Sequence, residues 1–371
     1  MRRLSGRDGG SVRAAILAAA LALGALAPAG PGAAPAKAQD KASGDCGGEG
    51  PIRYVCGLRN IEDLQKIPGR PLLVAATYGL KVGPDSLMLL DADTHAVRAL
   101  PQDAPKFDPV YKACPGPIDM AQFSPHGIAL RAGADGRLTL YVVNHGGRES
   151  IEVFALDART ADVRTRWIGC VVLPEGASGN AVAPLDDGGF VATKFFDTRQ
   201  GPQLPQFAAR KRTSLLYRWS PVSGFSVIPG GDRIGDNGVI VSPDDASVYV
   251  TSWIEKRIFR LPLKGDQPIA STPVDLMPDN LRWAPDGSIL IGGQATDIDL
   301  LVACKHPRCD QDWAVARMDP KTLKVDYLYW EKGKPDFAGA TVAEQVGQKL
   351  YIGTFHGDRI VVADIPAKPL P

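Results

Sequence analysis

The sequence is organised by a pattern that recurs six times, at intervals of roughly 43 to 65 residues. Each unit has a small or polar triplet, a short alternating strand, a turn rich in Gly and Asp, a second strand rich in Val, Ile and Tyr, and a third strand. The triplets are Glu62-Asp63-Leu64, His126-Gly127-Ile128, Gly179-Asn180-Ala181, Asp236-Asn237-Gly238, Asp279-Asn280-Leu281 and Gly339-Ala340-Thr341. We therefore expect an all-β protein with a single six-bladed β-propeller over residues 56–371. A two-sheet sandwich is the alternative, but it does not account for six similar units.

The first 38 residues have the three parts of a secretory signal. Four arginines, at positions 2, 3, 7 and 13, precede an apolar stretch over residues 14–27, and Ala36-Lys37-Ala38 offers a cleavage site after Ala38. An uncleaved anchor needs about 20 apolar residues, more than this stretch contains. We expect export to the periplasm or medium, no membrane span, and a 39–55 extension available to close the last blade.

Charge and cysteine content agree with an exported protein. Removing residues 1–38 takes away five basic residues and one acidic residue, so the formal net charge changes from +1 to −3, which argues against a nucleic-acid partner. Six cysteines without a CxxC pair indicate disulfides rather than a zinc site. Fifteen connectivities are open to six cysteines, and the spacings favour Cys46 with Cys56, Cys304 with Cys309, and Cys114 with Cys170.

The triplets should meet at one end of the central channel, because the first strand of each blade lines that channel. Five of their oxygen-bearing side chains are the candidate ligands that should converge there: Glu62, Asn180, Asn237, Asp279 and Asn280. Asn and Asp also occur at such positions simply as turn formers. Five at matched repeat positions instead predict a metal site, and an all-oxygen set selects calcium over zinc.

The second strand of each blade returns beside its triplet, because it runs antiparallel to the first. This places His145, at the end of Leu140-Tyr141-Val142-Val143-Asn144-His145, next to His126. The same rule brings five more residues to this end of the channel, where they should wall a pocket: Tyr78, Phe195, Trp253, Gln294 and His356.

This convergence predicts hydrolytic chemistry. A cation held there would polarise a carbonyl or phosphoryl oxygen and stabilise the oxyanion that forms. His126 and His145 would activate water, one imidazole acting as the base while the other holds its tautomer. A lone histidine is more often structural, but the pairing favours a catalytic dyad.

Six segments together carry a resemblance that runs over about residues 56–363. They are Glu62-Asp63-Leu64, Pro125-His126-Gly127-Ile128, Leu140 to His145, Asp236-Asn237-Gly238 followed by Ser242-Pro243-Asp244, Asp279-Asn280, and Lys349-Leu350-Tyr351-Ile352-Gly353-Thr354-Phe355-His356. Together they resemble the paraoxonase/arylesterase family. The Asn-Gly and Ser-Pro-Asp segments are shared with gluconolactonases and strictosidine synthase-like propellers, whereas the two histidine segments in one blade are more specific.

The resemblance implies a six-bladed propeller that hydrolyses lactones and aryl esters with a catalytic calcium ion high in the channel. It implies that the five oxygen-bearing residues hold this ion, that His126 and His145 form the dyad, and that His356 lies in the pocket wall.

One departure from the family concerns a second, structural calcium ion. The resemblance implies that Asp63 and the carbonyl of Ile128 would bind it, together with an aspartate directly after Asn180, but Ala181 stands there. With Asp63 as the sole carboxylate, a divalent ion in the channel would be under-neutralised. We expect one calcium ion per chain, with water or sodium at the second place.

Two other departures concern the pocket and the termini. Val82 stands where the family has a pocket tyrosine, which argues against a preference for aromatic esters or phosphotriesters. The disulfide that ties the two termini in the animal enzymes lacks a partner, since no cysteine follows Cys309.

The sequence therefore predicts an exported calcium-dependent hydrolase of small lactones or esters. One alternative is a gluconolactonase-type sugar lactonase, whose metal site would use Glu62, Asn237 and Asp279 alone. Another is a non-catalytic propeller that binds a ligand or protein on its channel face and holds calcium as a structural ion.

Overall fold

The computed structural model of the chain describes residues 44–79, 86–133, 136–230, 233–304 and 310–370. Its strands form six sheets. The described chain begins with β1 (Gly44–Glu49) and β2 (Ile52–Cys56), which precede the first sheet. The first sheet contains β3 (Ile61–Lys66), β4 (Leu72–Thr77), β5 (Leu87–Asp91) and β6 (Val97–Ala99), and the second contains β7 (Gln102–Asp103), β8 (Pro125–Ala132), β9 (Leu138–Asn144), β10 (Ser150–Asp157) and β11 (Arg164–Val172). The third sheet contains β12 (Ala177–Pro184), β13 (Phe190–Asp197), β14 (Leu215–Ser220) and β15 (Gly224–Val227).

The remaining strands complete the second half of the molecule. The fourth sheet contains β16 (Asp236–Val241), β17 (Ser247–Ser252), β18 (Arg257–Pro262) and β19 (Ala270–Pro273). The fifth contains β20 (Met277–Trp283), β21 (Ile289–Gln294), β22 (Trp313–Met318) and β23 (Val325–Glu331). The sixth contains β24 (Phe337–Val346), β25 (Lys349–Gly357) and β26 (Arg359–Asp364). Two short helices follow second strands: α1 (Gln203–Ala208) after β13 and α2 (Ile298–Ala303) after β21.

The first strands of the six sheets form a closed ring. β3 contacts β8, β8 contacts β12, and the series continues through β16, β20 and β24 back to β3. The remaining strands of each sheet are added outward in antiparallel order, apart from the short parallel β7 at the edge of the second sheet. The protein is a six-bladed β-propeller, as the repeat predicted.

The last blade is completed by the beginning of the described chain. β2 pairs with β26, and β1 pairs with β2 at the outer edge. A disulfide between Cys46 and Cys56 ties these two strands together. The expected division between residues 55 and 56 falls inside β2, so the 39–55 segment supplies strand residues to the propeller itself.

The apolar core lies between neighbouring blades. Val74 and Leu89 of the first blade pack in one cluster with Leu140 and Phe154 of the second, and all four are buried. Alternation along each strand sends side chains to both faces of a sheet, and each face is covered by the next blade. Burial of one such side chain stabilises the fold by about 1.5–3 kcal/mol.

A second disulfide, between Cys114 and Cys170, links the segment before β8 to β11, as predicted. The third predicted pair includes Cys309, which lies outside the described residues, as do the expected signal segment 1–38 and Val82. Within the ranges given above, no helix is long and apolar enough to cross a membrane.

Candidate active site and metal centre

A β-bulge interrupts each of the six inner strands at the triplet. The register shifts lie between Ile61 and Asp63, Pro125 and Ile128, Gly179 and Val182, Asp236 and Val239, Pro278 and Leu281, and Ala340 and Val342. A bulge re-aims side chains that regular alternation would turn away. The bulges explain why consecutive residues such as Asp279 and Asn280 both serve the channel.

Two triplet glycines are required by the close approach of the next inner strand. A Cβ atom at Gly127 would lie 2.3 Å from the carbonyl oxygen of Asn180, and one at Gly238 would lie 2.3 Å from that of Asp279. No side chain fits at such distances. The His-Gly and Asn-Gly pairs therefore let neighbouring blades bring their polar residues together.

Buried threonine hydroxyls hold the backbone of three of these residues. The hydroxyl groups donate to the following carbonyl oxygens: Thr193 to Asn237 at 2.8 Å, Thr251 to Asp279 at 2.8 Å, and Thr341 to Glu62 at 2.7 Å. Each bond joins two adjacent blades. The inner backbone is thereby fixed before any ligand binds, which preorganises the site.

The five predicted ligands form what we call the oxygen ring: Glu62, Asn180, Asn237, Asp279 and Asn280. All five are buried, and each has one buried oxygen with no hydrogen-bond partner. In the described part of the chain, eight side-chain atoms are orphaned in this way, and five belong to the ring. Burying a polar atom without a partner is costly. Buried oxygens of this kind are suited to a ligand with positive charge.

The other polar atoms of the oxygen ring are bound in directions that leave these oxygens free. Asn280 Nδ2 donates to Glu62 Oε1 at 2.8 Å, and Gln294 Nε2 donates to Asp279 Oδ2 at 2.9 Å. Burial, with the charge of Asp63, raises the pKa of Glu62 to about 8. Burial and the charge of Glu62 raise the pKa of Asp279 well above its usual value.

The chemistry of the oxygen ring fits calcium. It offers two carboxylates and three amide oxygens, and no cluster of three or more His, Cys, Asp or Glu side chains with metal-binding geometry occurs among the described residues. Hard oxygen donors of mixed charge are typical calcium ligands, whereas zinc and copper sites use nitrogen or sulfur. A divalent cation would also neutralise the two buried carboxylates.

The predicted histidine pair lies beside the oxygen ring. His126 Nδ1 is 2.8 Å from His145 Nε2, and His126 Nε2 is 3.5 Å from Glu62 Oε1 and 3.5 Å from Asn180 Nδ2. Burial and the proximity of His145 hold the pKa of His126 well below its usual value, which keeps this imidazole neutral at pH 7.

Glu149 extends the pair to a chain of three groups and was missed by the sequence reasoning. Its carboxylate accepts from His145 Nδ1 at 2.9 Å and from the backbone N–H of Gly179 at 3.2 Å. It lies four residues after His145, in the turn between β9 and β10, and no repeat position marks it.

The carboxylate of Glu149 determines the tautomers of the chain. A carboxylate only accepts, so His145 carries its proton on Nδ1 and presents a lone pair at Nε2. That lone pair accepts the Nδ1 proton of His126, which leaves a lone pair on His126 Nε2. Asn180 turns its amide nitrogen toward this lone pair and its oxygen away. The one basic nitrogen of the chain therefore faces the oxygen ring.

Four predicted wall residues surround this group. The Tyr78 ring lies 4.3 Å from the His126 ring, measured between centroids. Trp253 Nε1 donates to Gln294 Oε1 at 2.5 Å, and the Trp253 ring lies 5.8 Å from that of Phe195. The helix α1 adds Phe207, which packs on both of these aromatic rings. Phe195, Trp253 and Phe207 therefore form a buried apolar cluster that packs against Gln294.

The fifth predicted wall residue, His356, lies near the end of β25, opposite Ala338 of β24. Its backbone N–H donates a hydrogen bond to the Thr354 hydroxyl oxygen, and its carbonyl oxygen accepts one from that hydroxyl group. Its ring lies 6.4 Å from the Phe355 ring, measured between centroids. The structure places it at the predicted strand end.

A side chain of the protein fills the place expected for water or sodium beside Asp63. The guanidinium of Arg282 donates from one nitrogen to both Asp63 Oδ1 and the carbonyl of Ile128. These are the two atoms that the resemblance assigned to a second calcium ion. Arg282 was missed, although it lies two residues after Asn280 on β20, a spacing that puts both side chains on one face of a strand.

The sequence is similar to known proteins of one family. Residues 102–361 match the protein family described as Arylesterase. Human serum paraoxonase/arylesterase 2 is 26% identical over 252 residues, covering 64% of this chain and 68% of that protein. Human serum paraoxonase/lactonase 3 is 26% identical over 250 residues, covering 65% and 69%.

Similarity to solved structures concerns the fold. A luciferin-regenerating enzyme superposes with a TM-score of 0.51 at 12% identity, over 84% of this chain and 94% of that one. Because the family match spans well over half of the sequence, the chain belongs to the arylesterase family.

Proposed function

We propose that this protein is an exported, calcium-dependent hydrolase of lactones and aryl esters, with one calcium ion in the oxygen ring. The proposal rests on the proximity of the orphaned oxygens to a basic nitrogen atom. Five buried oxygens without partners lie beside His126 Nε2, the basic end of a buried proton chain. Family membership and the names of the two human relatives support the same reaction class.

The residues of the site have two separate roles, which are binding of the cation and transfer of a proton. Glu62, Asp279 and the three asparagines would hold the ion, which when bound supplies polarisation of the substrate carbonyl and charge stabilisation worth several kcal/mol. Threonine hydroxyls and bulges keep these oxygens in place, so little reorganisation is needed during the reaction.

His126 acts as the general base. Its Nε2 accepts a proton from a water molecule, and the water oxygen forms a bond to the carbonyl carbon. The ester or lactone C–O bond then breaks, and the leaving oxygen takes the proton back from His126 Nε2. His145 accepts the Nδ1 hydrogen bond throughout, and Glu149 stabilises the positive charge that the two imidazoles share transiently.

The wall suggests the shape of the substrate. The Tyr78 ring lies 4.3 Å from that of the base, tilted against it, and is only half-buried. An aromatic ring that is partly accessible beside the base favours an ester or lactone with an apolar chain or ring, which it can cover.

The orphaned oxygens favour this function over a sugar lactonase. That alternative uses Glu62, Asn237 and Asp279 alone, and it leaves the orphaned oxygens of Asn180 and Asn280 without a role.

Export is part of the proposal and is supported by the two disulfides, which persist in oxidising compartments. It is tested by fractionating the host cells and sequencing the amino terminus of the mature protein. A mature chain that begins near residue 39 is expected, and an intact Met1 in the cytosol would contradict export.

The decisive experiment is turnover of a substrate panel with and without metal. The panel contains γ- and δ-lactones with apolar chains, phenyl acetate and a sugar lactone. Chelation followed by dialysis should reduce hydrolysis at least about 100-fold, and calcium should restore it. Full activity in excess chelator would overturn the metal mechanism. Binding of calcium without turnover of any substrate would instead indicate a ligand-binding propeller.

A further inference from the structure

The layer of the channel next to the oxygen ring contains a positive charge that belongs to the protein. We call Asp63, Arg282 and Glu344 the arginine layer. All three are buried. Arg282 pairs with Asp63 directly, and its Nε lies 3.6 Å from Glu344 Oε2. One cation thus lies between two acidic side chains in a place from which water is excluded.

Arg282 also satisfies carbonyl oxygens that a metal ion would bind. Its Nε donates to Leu64 at 2.9 Å, one terminal nitrogen donates to Leu281 at 2.7 Å, and the other donates to Ile128 at 3.2 Å. The donors of a guanidinium form a fixed fork, and here the fork is directed at carbonyl groups and a carboxylate.

We infer that the guanidinium of Arg282 takes both the place and the structural task of a second cation, so the propeller needs no calcium ion to stay folded. Any calcium ion that the protein binds is then held outside the arginine layer. This inference goes beyond the proposed function and does not depend on any hydrolytic activity.

The structural task of Arg282 is to join blades of the propeller at the axis of the central channel. Asp63 and Leu64 lie on β3, Ile128 on β8, Arg282 on β20 and Glu344 on β24. One side chain therefore connects the inner strands of four of the six blades. A covalently attached cation does this at any calcium concentration, whereas a bound ion contributes only according to its free concentration and affinity.

A divalent ion and this arginine exclude each other. The two would meet at the same oxygen of Asp63 and the same carbonyl of Ile128, where their like charges repel strongly in a buried site. Ala181 contributes no additional carboxylate to offset a second ion. Arg282 already neutralises one of the two carboxylates of the layer, which lowers the attraction for a second cation.

The first test uses the mature wild-type protein. Bound calcium is counted by elemental analysis after dialysis against calcium-free buffer, and thermal unfolding is followed by circular dichroism with and without excess chelator. We expect at most one calcium ion per chain and a cooperative transition in chelator, with Tm lowered by only a few degrees. Two retained ions, or loss of the folded state on chelation, would overturn the inference.

The second test removes the guanidinium. Arg282→Ser leaves Asp63, Glu344 and the freed carbonyl oxygens around a cavity. Its Tm in chelator should fall by about 10 °C, since a buried charge loses its partner. Millimolar calcium should then recover at least half of that loss and add one bound ion. Absence of any recovery beyond the wild-type response would show that the place is not equivalent to a cation site.

Two matched variants separate the site from general destabilisation. Arg282→Lys keeps a cation and should gain no calcium. Arg233→Ser breaks another buried arginine pair, with Asp236, and should lose stability without additional recovery in calcium. A wild-type protein that binds no calcium and stays folded would refute the proposed function while leaving this inference intact.

Discussion

The oxygen ring and the arginine layer are adjacent, equally buried and equally rich in acidic groups, yet they are completed in opposite ways. In the arginine layer the acidic side chains face a guanidinium, and Asp63 in addition accepts backbone N–H groups of Leu64 and Ile128. In the oxygen ring each ligand residue keeps one oxygen without a partner. Buried acidic residues alone therefore do not identify a metal site. The orphaned oxygens are the observation on which the proposed calcium site rests.

The difference follows from what each layer must do. A structural contact is best completed by a permanent side chain, because nothing has to enter or leave. A catalytic cation must leave part of its surroundings open to substrate, so its ligands hold it from one side and their oxygens stay unsatisfied without it. The location of the histidine chain beside the oxygen ring, rather than beside Arg282, agrees with this division.

The largest expected effect comes from removing one charge of the oxygen ring. Asp279→Asn keeps the shape but leaves one carboxylate, and calcium affinity depends on ligand charge, so affinity should fall on the order of 100-fold or more. Hydrolysis should approach background. The stability of the calcium-free protein should stay equal or rise, because burial and Glu62 already disfavour the charge of Asp279. Calorimetric calcium titration and thermal unfolding measure both; unchanged calcium affinity would remove Asp279 from the metal site.

The next effect separates the base from the ion. His126→Gln should lower kcat by roughly 10² to 10⁴, the usual contribution of a general base. Calcium affinity should stay nearly the same, since imidazole is not among the proposed ligands. The measurement is steady-state kinetics from pH 6 to 9 beside a calcium titration of the same preparation. Near-normal turnover at every pH on all substrates would show that water is activated without His126 as the general base.

The sequence predicted the oxygen ring because its members occupy equivalent positions in a repeat. Once six blades are recognised, the triplets must meet at the axis, and the choice of Asn, Asp and Glu there indicates the ligand. The histidine pair followed from strand antiparallelism alone. The bulge at each triplet brings these side chains together, but no particular residue composition predicts it. Gly127 and Gly238 are the residues in the sequence that reflect the close approach of the strands there.

Arg282 and Glu149 were not predicted for different reasons. Arg282 had a signal, its spacing of two from Asn280, but a charged residue on a strand is usually expected to reach solvent. Its partners Asp63 and Glu344 come from other blades, so the pairing is visible only in three dimensions. Glu149 lies in a turn outside the repeat, and its role depends on which atom of His145 faces it.

A smaller effect is expected at Glu149, which positions His145. In Glu149→Gln, the backbone N–H of Gly179 should hold the amide oxygen and turn the NH₂ group toward His145. That donor reverses the tautomers, and the basic nitrogen of His126 is lost. We expect kcat to fall by about 10- to 100-fold with little change in KM or calcium affinity. Glu149→Asp, which still only accepts, should recover part of the rate. Equal loss in both variants would indicate a packing role.

The smallest effect concerns the pH dependence of stability in the arginine layer. Burial raises the pKa of Glu344 to about 7 despite the charge of Arg282, whereas the unfolded chain has the usual value near 4.5. Between these values the folded protein holds more protons than the unfolded one, so its stability falls as pH rises and levels off above pH 7. Glu344→Gln resembles the protonated acid and does not titrate. Its free energy of unfolding should equal that of the wild type near pH 4 and exceed it by at most about 3 kcal/mol at pH 8. Urea unfolding of both proteins at the two pH values measures this difference. A variant that is less stable than the wild type at pH 8 would show that the Arg282 pair outweighs the burial of Glu344.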